Sequence, residues 1–258
     1  MIESFEQRNI AYWTKRAPSY SEVNQQELNS AQRAIWRRVL LTHIDDVCGN
    51  EDPAHIRVLD VGTGPGFFAI LLAEKGYDVT AIDYTASMLR EAKANAGELG
   101  KSIRFYQMNA EQLTFEDGCF DVVMTRNLTW NLPHPEKAYR EWCRVLKQGG
   151  LLLNFDANWY RYLYDDEARQ GHLLDRKHIQ QSGVPDETEG TDVPAMEAIA
   201  YRAPLSRFNR PQWDIQTLQQ LGVYAVSDPD IWKTVWTRDE RINNCSTPMF
   251  MVKAVKAT

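Results

Sequence analysis

Several features are missing from this 258-residue chain, and each absence excludes something. No apolar run approaches the roughly 20 residues that cross a bilayer; the longest stretches only from Phe67 to Ala73. The N-terminus, Met-Ile-Glu-Ser-Phe-Glu-Gln-Arg, has acidic residues and no apolar h-region, so no signal peptide is expected. The four cysteines, Cys48, Cys119, Cys143 and Cys245, form no CxxC pair, which leaves reduced thiols in a cytoplasmic protein as the expectation. Clustered metal ligands are lacking, so no metal site is expected. A basic stripe is lacking too. The formal net charge of −6 argues against a nucleic-acid backbone as partner, and Lys15-Arg16 and Arg37-Arg38 read as solvated helix faces. There is no internal repeat and no low-complexity stretch. The composition, 43% hydrophobic and 25% charged, is that of a soluble globular chain able to bury a substantial core.

What is present is an alternation of strand and helix patterns. Residues 5–47 read as helical, with Leu28, Ala31, Ile35 and Val39 on one stripe and Pro18 dividing a short first piece from a longer second one. Strands are expected at 57–61, 77–83, 103–109, 120–126 and 151–156. Helices are expected between them at 67–75, 85–100 and 135–150, the last opened by Pro135 and ended by Gly149-Gly150. Such spacing implies a doubly wound α/β fold whose ligands bind beyond the C-terminal ends of the strands. Those ends are Asp60 to Gly66, Asp83, Asn109, Arg126 with Asn127, and Asp156. The pattern lapses over 157–206, read as an insertion or lid with an acidic loop at 182–194. It resumes with a helix at 210–222 and strands at 223–228 and 249–257.

The stretch "VLDVGTGPGFFAI" (58–70) is a glycine turn after a strand. A dinucleotide fingerprint is GxGxxG, whose third glycine permits close helix–strand packing. Here Gly62-Thr63-Gly64-Pro65-Gly66 is GxGxG, and bulky Phe67 holds that third position, which counts against a nicotinamide cofactor. No Gly-Lys-Ser/Thr ending supports a phosphate loop. Asp83, at the end of the second strand, suits the two hydroxyls of an adenosine ribose but serves dehydrogenases equally.

Five blocks in register, "VLDVGTGPGFFAILLA", "VTAIDYTASML", "YQMNAEQLTF", "FDVVMTRNLTWNL" and "EWCRVLKQGGLLLNFD", strongly resemble the class I S-adenosylmethionine (SAM)-dependent methyltransferases of the small-molecule type. The resemblance covers about residues 55–156, the last two strands loosely and the lid poorly. It implies a seven-stranded, mostly parallel Rossmann-like sheet over a single domain 1–258, with cap helices at 1–48, a SAM-binding core at 55–156, a lid at 157–206 and a closing helix and strands at 207–258. It also implies that Gly62, Thr63, Gly64, Pro65 and Gly66 cradle the methionine part, with Asp60 near its ammonium. Asp83 would hold the ribose, Tyr84 and Met88 would pack on the adenine, and Asn109, Ala110 and Glu111 would stand in the family's Asp-Ala-Glu block. Arg126 and Asn127 would line the methyl-donor pocket. Tyr20, in the cap, would cover the methionine carboxylate, with Arg16 in reach of it. S-adenosylhomocysteine would be the product.

Three regions are expected around the methyl acceptor: 127–135, 156–206 and 229–248. Acceptor-side candidates are Asn127, Trp130, His134 (a conceivable base), Asp156 and Tyr160, with Asn131 also facing the site and Cys245 near its mouth. The expected partner is a small molecule methylated on N, O or S, with no nucleic acid and no membrane, and a monomer or homodimer as the assembly. A non-catalytic SAM-binding regulator and, behind it, a nicotinamide-linked oxidoreductase remain as alternatives.

Overall fold

The computed structural model describes residues 4–49 and 51–257; residues 1–3, 50 and 258 lie outside it. Seven strands form one sheet: β1 (Arg57–Val61), β2 (Asp78–Asp83), β3 (Arg104–Gln107), β4 (Phe120–Arg126), β5 (Leu146–Asp156), β6 (Val223–Asp228) and β7 (Phe250–Lys256). Their order is β3-β2-β1-β4-β5-β7-β6. The first five are parallel to one another, and β7 runs antiparallel to both β5 and β6. The expected doubly wound, mostly parallel sheet is therefore the one observed. The switch point lies between β1 and β4, where the chain order reverses and a ligand crevice opens.

Apolar strands buried on both faces explain the two cores. One packs α2 (Gln32–Cys48) and α3 (Phe67–Ala73) against the sheet through Trp36, Phe68 and Phe155, whose rings meet at 5.1–5.6 Å. The other packs α5 (Pro135–Val145) and α8 (Gln212–Gln220) on the opposite face through Tyr139, Trp142 and Leu218. Between β2 and β3 runs α4 (Ala86–Ala96), followed by a 3-10 stretch to Ser102. The insertion is helical, with α6 (Asp166–Ser182) and α7 (Val193–Ala200) flanking the acidic loop. Two short helices, α9 (Trp232–Val235) and α10 (Arg238–Asn243), fill the segment before β7. No helix among the described residues is long and apolar enough to cross a membrane.

Two boundaries differ from the sequence reading. Pro18 does not divide the N-terminal region: α1 runs unbroken from Phe5 to Leu28, and the break falls at 29–31. Only one backbone donor is lost at Pro18, whereas at the break Ser30 Oγ turns back to Glu27 O (3.0 Å) and stops the helix. Likewise α5 ends at Val145, short of the glycine pair. Its last carbonyls are taken by other partners: Gly118 N to Arg144 O (2.9 Å), Cys119 N to Val145 O (2.8 Å), and Lys256 Nζ to Cys143 O and Leu146 O (2.8 and 2.7 Å). The glycines instead lie in an irregular start of β5, where the β4 register jumps from Leu146 to Leu151.

Asp156 ends β5 inside a buried polar knot. Arg210, 1% exposed, donates to Asp156 (2.6 Å) and to both oxygens of Asp214 (2.7 and 2.8 Å). Tyr139 Oη donates to Asp214 (2.6 Å) and accepts from Asn154 Nδ2 (2.7 Å). Removing one partner of such a pair strands a charge in the core, at a cost of about 3–5 kcal/mol. Arg210→Ala should lose stability of that order in urea unfolding; a loss below about 1 kcal/mol would mean that the knot is solvated.

Candidate active site

The C-terminal ends of β1, β2 and β4 open into one cavity, roofed by α1. On its floor the 62–66 turn leaves β1 with Gly62 at φ +65° and Gly66 at φ +93°, backbone that favours glycine. Gly66 has a second reason: a Cβ there would lie 3.1 Å from Ala92 Cβ, so this glycine sets the approach of α4. Phe67, next to it, turns toward the cavity under the Arg126 guanidinium, which lies 4.7 Å from its ring centre.

Two carboxylates face the cavity from adjacent strands. Asp60 Oδ2 accepts from Thr63 Oγ1 (2.6 Å) and Ala69 N (3.1 Å), which fixes the turn to β1. Burial pushes the Asp60 carboxyl up to about 6, against these hydrogen bonds and the pull of Arg126. Asp83 accepts from Gly64 N on Oδ2 (3.0 Å) and from Thr85 N and Oγ1 on Oδ1 (both 2.9 Å). Burial raises its carboxyl as well, with the same donors opposing. Arg126 and Glu27 of α1 form a buried two-pronged pair (2.9 and 2.8 Å) on the wall beside them. Asn127 follows with φ +56°, a left-handed conformation rare for a residue with a side chain, and its buried Oδ1 has no hydrogen-bond partner among the described residues.

Most residues assigned to SAM by resemblance meet here: Tyr20, Asp60, Gly62, Thr63, Gly64, Pro65, Asp83, Tyr84, Met88, Asn109, Ala110, Arg126 and Asn127 all line the cavity. Gly66 and Glu111 do not. Glu111 turns away to accept from His134 N (2.7 Å). Asn109 Oδ1 caps its own turn by accepting from Glu111 N (2.8 Å), leaving Nδ2 as its outward donor. Arg16 points to Ser19 and the outer face of Tyr20 rather than into the cavity.

The acceptor-side candidates divide differently. Asn127 is on the cavity; Trp130, His134, Asp156 and Tyr160 are not. Asp156 is fully buried against Arg210, and its remaining role is to accept from Trp130 N (3.0 Å). Trp130 is packed behind the wall, its Nε1 donating to Asn127 O (3.0 Å), and the tilted ring of Tyr160 packs on it at 4.9 Å. His134 is the N-cap residue of α5. Cys245 is exposed and away from the cavity, and the 229–248 segment packs on α2 and α6 instead of returning over the site. In their place α1 supplies Phe5, Asn9, Ile10, Trp13 and Asn24. These share helical spacing with Tyr20 and Glu27, a stripe on which polar residues interrupt apolar ones; that interruption was the available signal.

Residues 59–154 match the family described as "Methyltransferase domain". A Bacillus subtilis (strain 168) protein named as an uncharacterized methyltransferase, YcgJ, is 32% identical over 165 residues, covering 62% of this chain and 64% of that protein. The ubiquinone/menaquinone biosynthesis C-methyltransferase UbiE of Bartonella tribocorum is 34% identical over 161 residues, 58% and 59% of the two chains. This chain thus spans less than two thirds of the length of these curated relatives. A SAM-dependent methyltransferase from Aquifex aeolicus shares the fold, with a TM-score of 0.55, 18% identity and coverage of 90% of this chain and 96% of that one. The segment between β1 and β5 is thus similar in sequence to a methyltransferase domain, on a fold shared with a SAM-dependent methyltransferase.

The raised carboxyl of Asp60 has a consequence for stability. Between the ordinary carboxylate pKa of 3.8 and about 6 the unfolded chain releases this proton while the folded chain keeps it, so Asp60 costs stability as pH rises through that window. At about 1.4 kcal/mol per unit, the cost reaches about 3 kcal/mol above pH 6. Urea unfolding of Asp60→Asn should show less loss of stability between pH 4 and about 6 than the parent chain. Identical pH slopes in the two would assign the titration elsewhere.

Proposed function

We propose that this chain transfers a methyl group from SAM to a small-molecule acceptor. The observation that carries the reading is the pairing, in one cavity at the sheet's switch point, of Asp60 and Asp83 on adjacent strand ends with the 62–65 turn between them. The residues fit the cofactor. Asp83 uses Oδ2 for one hydrogen bond to Gly64 N, and an ionised carboxylate oxygen accepts two, so a ribose hydroxyl completes it. Tyr84, 40% exposed, and buried Met88 offer flat apolar contact for an adenine, and Asn109 Nδ2 offers a ring nitrogen its donor. The buried Asn127 Oδ1 lacks a donor that a ligand ammonium supplies.

When bound, SAM brings a methyl group on a sulfonium, already activated for displacement. The protein's task is then to hold the acceptor in line and keep water out. The α1 roof does the second, through Trp13 and Tyr20, whose rings meet edge to face at 5.7 Å above the turn. Tyr20 lies 3.7 Å from the space a Cβ on Gly64 would fill. A nicotinamide dinucleotide fits less well, because Phe67 occupies cavity wall at the third fingerprint position.

Calorimetry with SAM, S-adenosylhomocysteine and NAD tests this. SAM and S-adenosylhomocysteine should bind and NAD should not; tight NAD binding without SAM binding would overturn the reading. Asp83→Ala should weaken SAM binding at least tenfold, the order expected for charge-assisted hydrogen bonds. A screen with methyl-labelled SAM then separates an enzyme from a SAM-binding regulator: label should appear in a small molecule.

A further inference from the structure

We propose that the methyl-acceptor end of this cavity selects molecules that carry no negative charge and present an O–H or N–H donor on an apolar body, and that Asn131 is the residue that reads the donor. The proposal rests on the methyltransferase reading above and concerns its substrate class.

Asn131 closes the 3-10 turn Thr129–Asn131, is 4% exposed and lines the cavity. Its amide is oriented by a clasp with the roof. Asn9 Nδ2 donates to the backbone carbonyl of Asn131 (3.1 Å), and Asn131 Nδ2 donates to Asn9 Oδ1 (2.9 Å). A backbone carbonyl only accepts, so the Asn9 amide has one orientation, and that in turn fixes Asn131. The group left over is therefore an oxygen. Asn131 Oδ1 is buried and has no hydrogen-bond partner among the described residues, whereas Asn127 Oδ1, orphaned likewise, is the oxygen assigned above to the ligand ammonium. An orphaned buried acceptor calls for a donor.

The turn cannot relieve these oxygens by moving. Trp130 N is held by Asp156, Asp156 by Arg210, and Trp130 Nε1 is held by Asn127 O. The surrounding wall is apolar at Phe5, Ile10, Trp13, Leu132 and Pro133, with the Glu6 carboxylate beside them. Among the described lining residues the one cation is Arg126, which Glu27 neutralises, so nothing there favours an anionic acceptor. A site built to pair a donor rejects an analogue without one, because its own polar groups stay unpaired.

The test uses the whole protein saturated with S-adenosylhomocysteine and three probes: catechol, 1,2-dimethoxybenzene and benzoate. By calorimetry catechol should bind at least tenfold more tightly than its dimethyl ether, and benzoate more weakly than catechol. In Asn131→Ala the catechol preference should shrink to under threefold, while S-adenosylhomocysteine affinity stays within twofold of the parent. Asn9→Ala frees the Asn131 amide to rotate and should also reduce the preference, which keeps the test decisive if the first variant does not fold. An unchanged preference in both variants, tighter benzoate binding, or no catechol binding at millimolar concentration would overturn the proposal. Failure of S-adenosylhomocysteine to bind the parent would instead remove the reading beneath it.

Discussion

The ion pair between Arg126 and Glu27 is the contact on which the cavity depends. It joins the end of a central parallel strand to a helix that otherwise lies outside the sheet, and both hydrogen bonds are near 2.9 Å. Asn24, one turn earlier on the helix, donates to the same carboxylate (3.2 Å). The guanidinium is sandwiched over Trp36, Phe67 and Phe68, at 5.3, 4.7 and 5.5 Å from their ring centres. Two-pronged geometry fixes orientation as well as distance. The roof is thereby indexed to the strand ends, and α4 reinforces it through Asn95, which reaches both Ser21 Oγ (3.1 Å) and Pro65 O (3.0 Å). Helix, turn and strand form one closed circuit around the cavity.

A second buried arginine does corresponding work one strand over. Arg210 comes from the segment after the insertion, yet its effect is felt at the 127–131 turn, by way of Asp156. The acidic residue at the end of β5 thus supports the wall of the cavity without touching its contents. Tyr139, Asp214 and Asn154 complete the knot, and burial drives the Tyr139 phenol well above its ordinary range, so it stays a donor. The insertion and the closing helix are in this way connected to the site mechanically.

Much of this was legible in the chain. Strands β1, β2 and β4 are largely apolar runs ending in glycine or a polar residue, and such runs bury on both faces. The cavity-lining residues Asp60, Asp83 and Arg126 sit at or beside those ends, so position along the strand fixed their place. What failed to read through was everything decided by a distant partner. Asp156 looks like a site residue until Arg210, 54 positions on, is seen to claim it. His134 precedes a proline and became a helix cap. Pro18 promised a break that packing against α4 overrode. The stripe of Phe5, Asn9, Trp13, Tyr20 and Asn24 carries the helical period, but only docking reveals that it faces a cavity rather than a core.

The two ends of the cavity are written in different alphabets. At the 62–66 turn and at Asn127 the shape lies in the backbone, in positive φ angles that few side chains tolerate. At the roof and the 131–133 edge the shape lies in side chains on ordinary helical or extended backbone. Substitution at the first end disturbs the fold of the turn itself; substitution at the second exchanges one surface for another. Substitution at Phe5, Ile10, Trp13 or Leu132 therefore reshapes one end of the cavity while the 62–66 turn keeps its form.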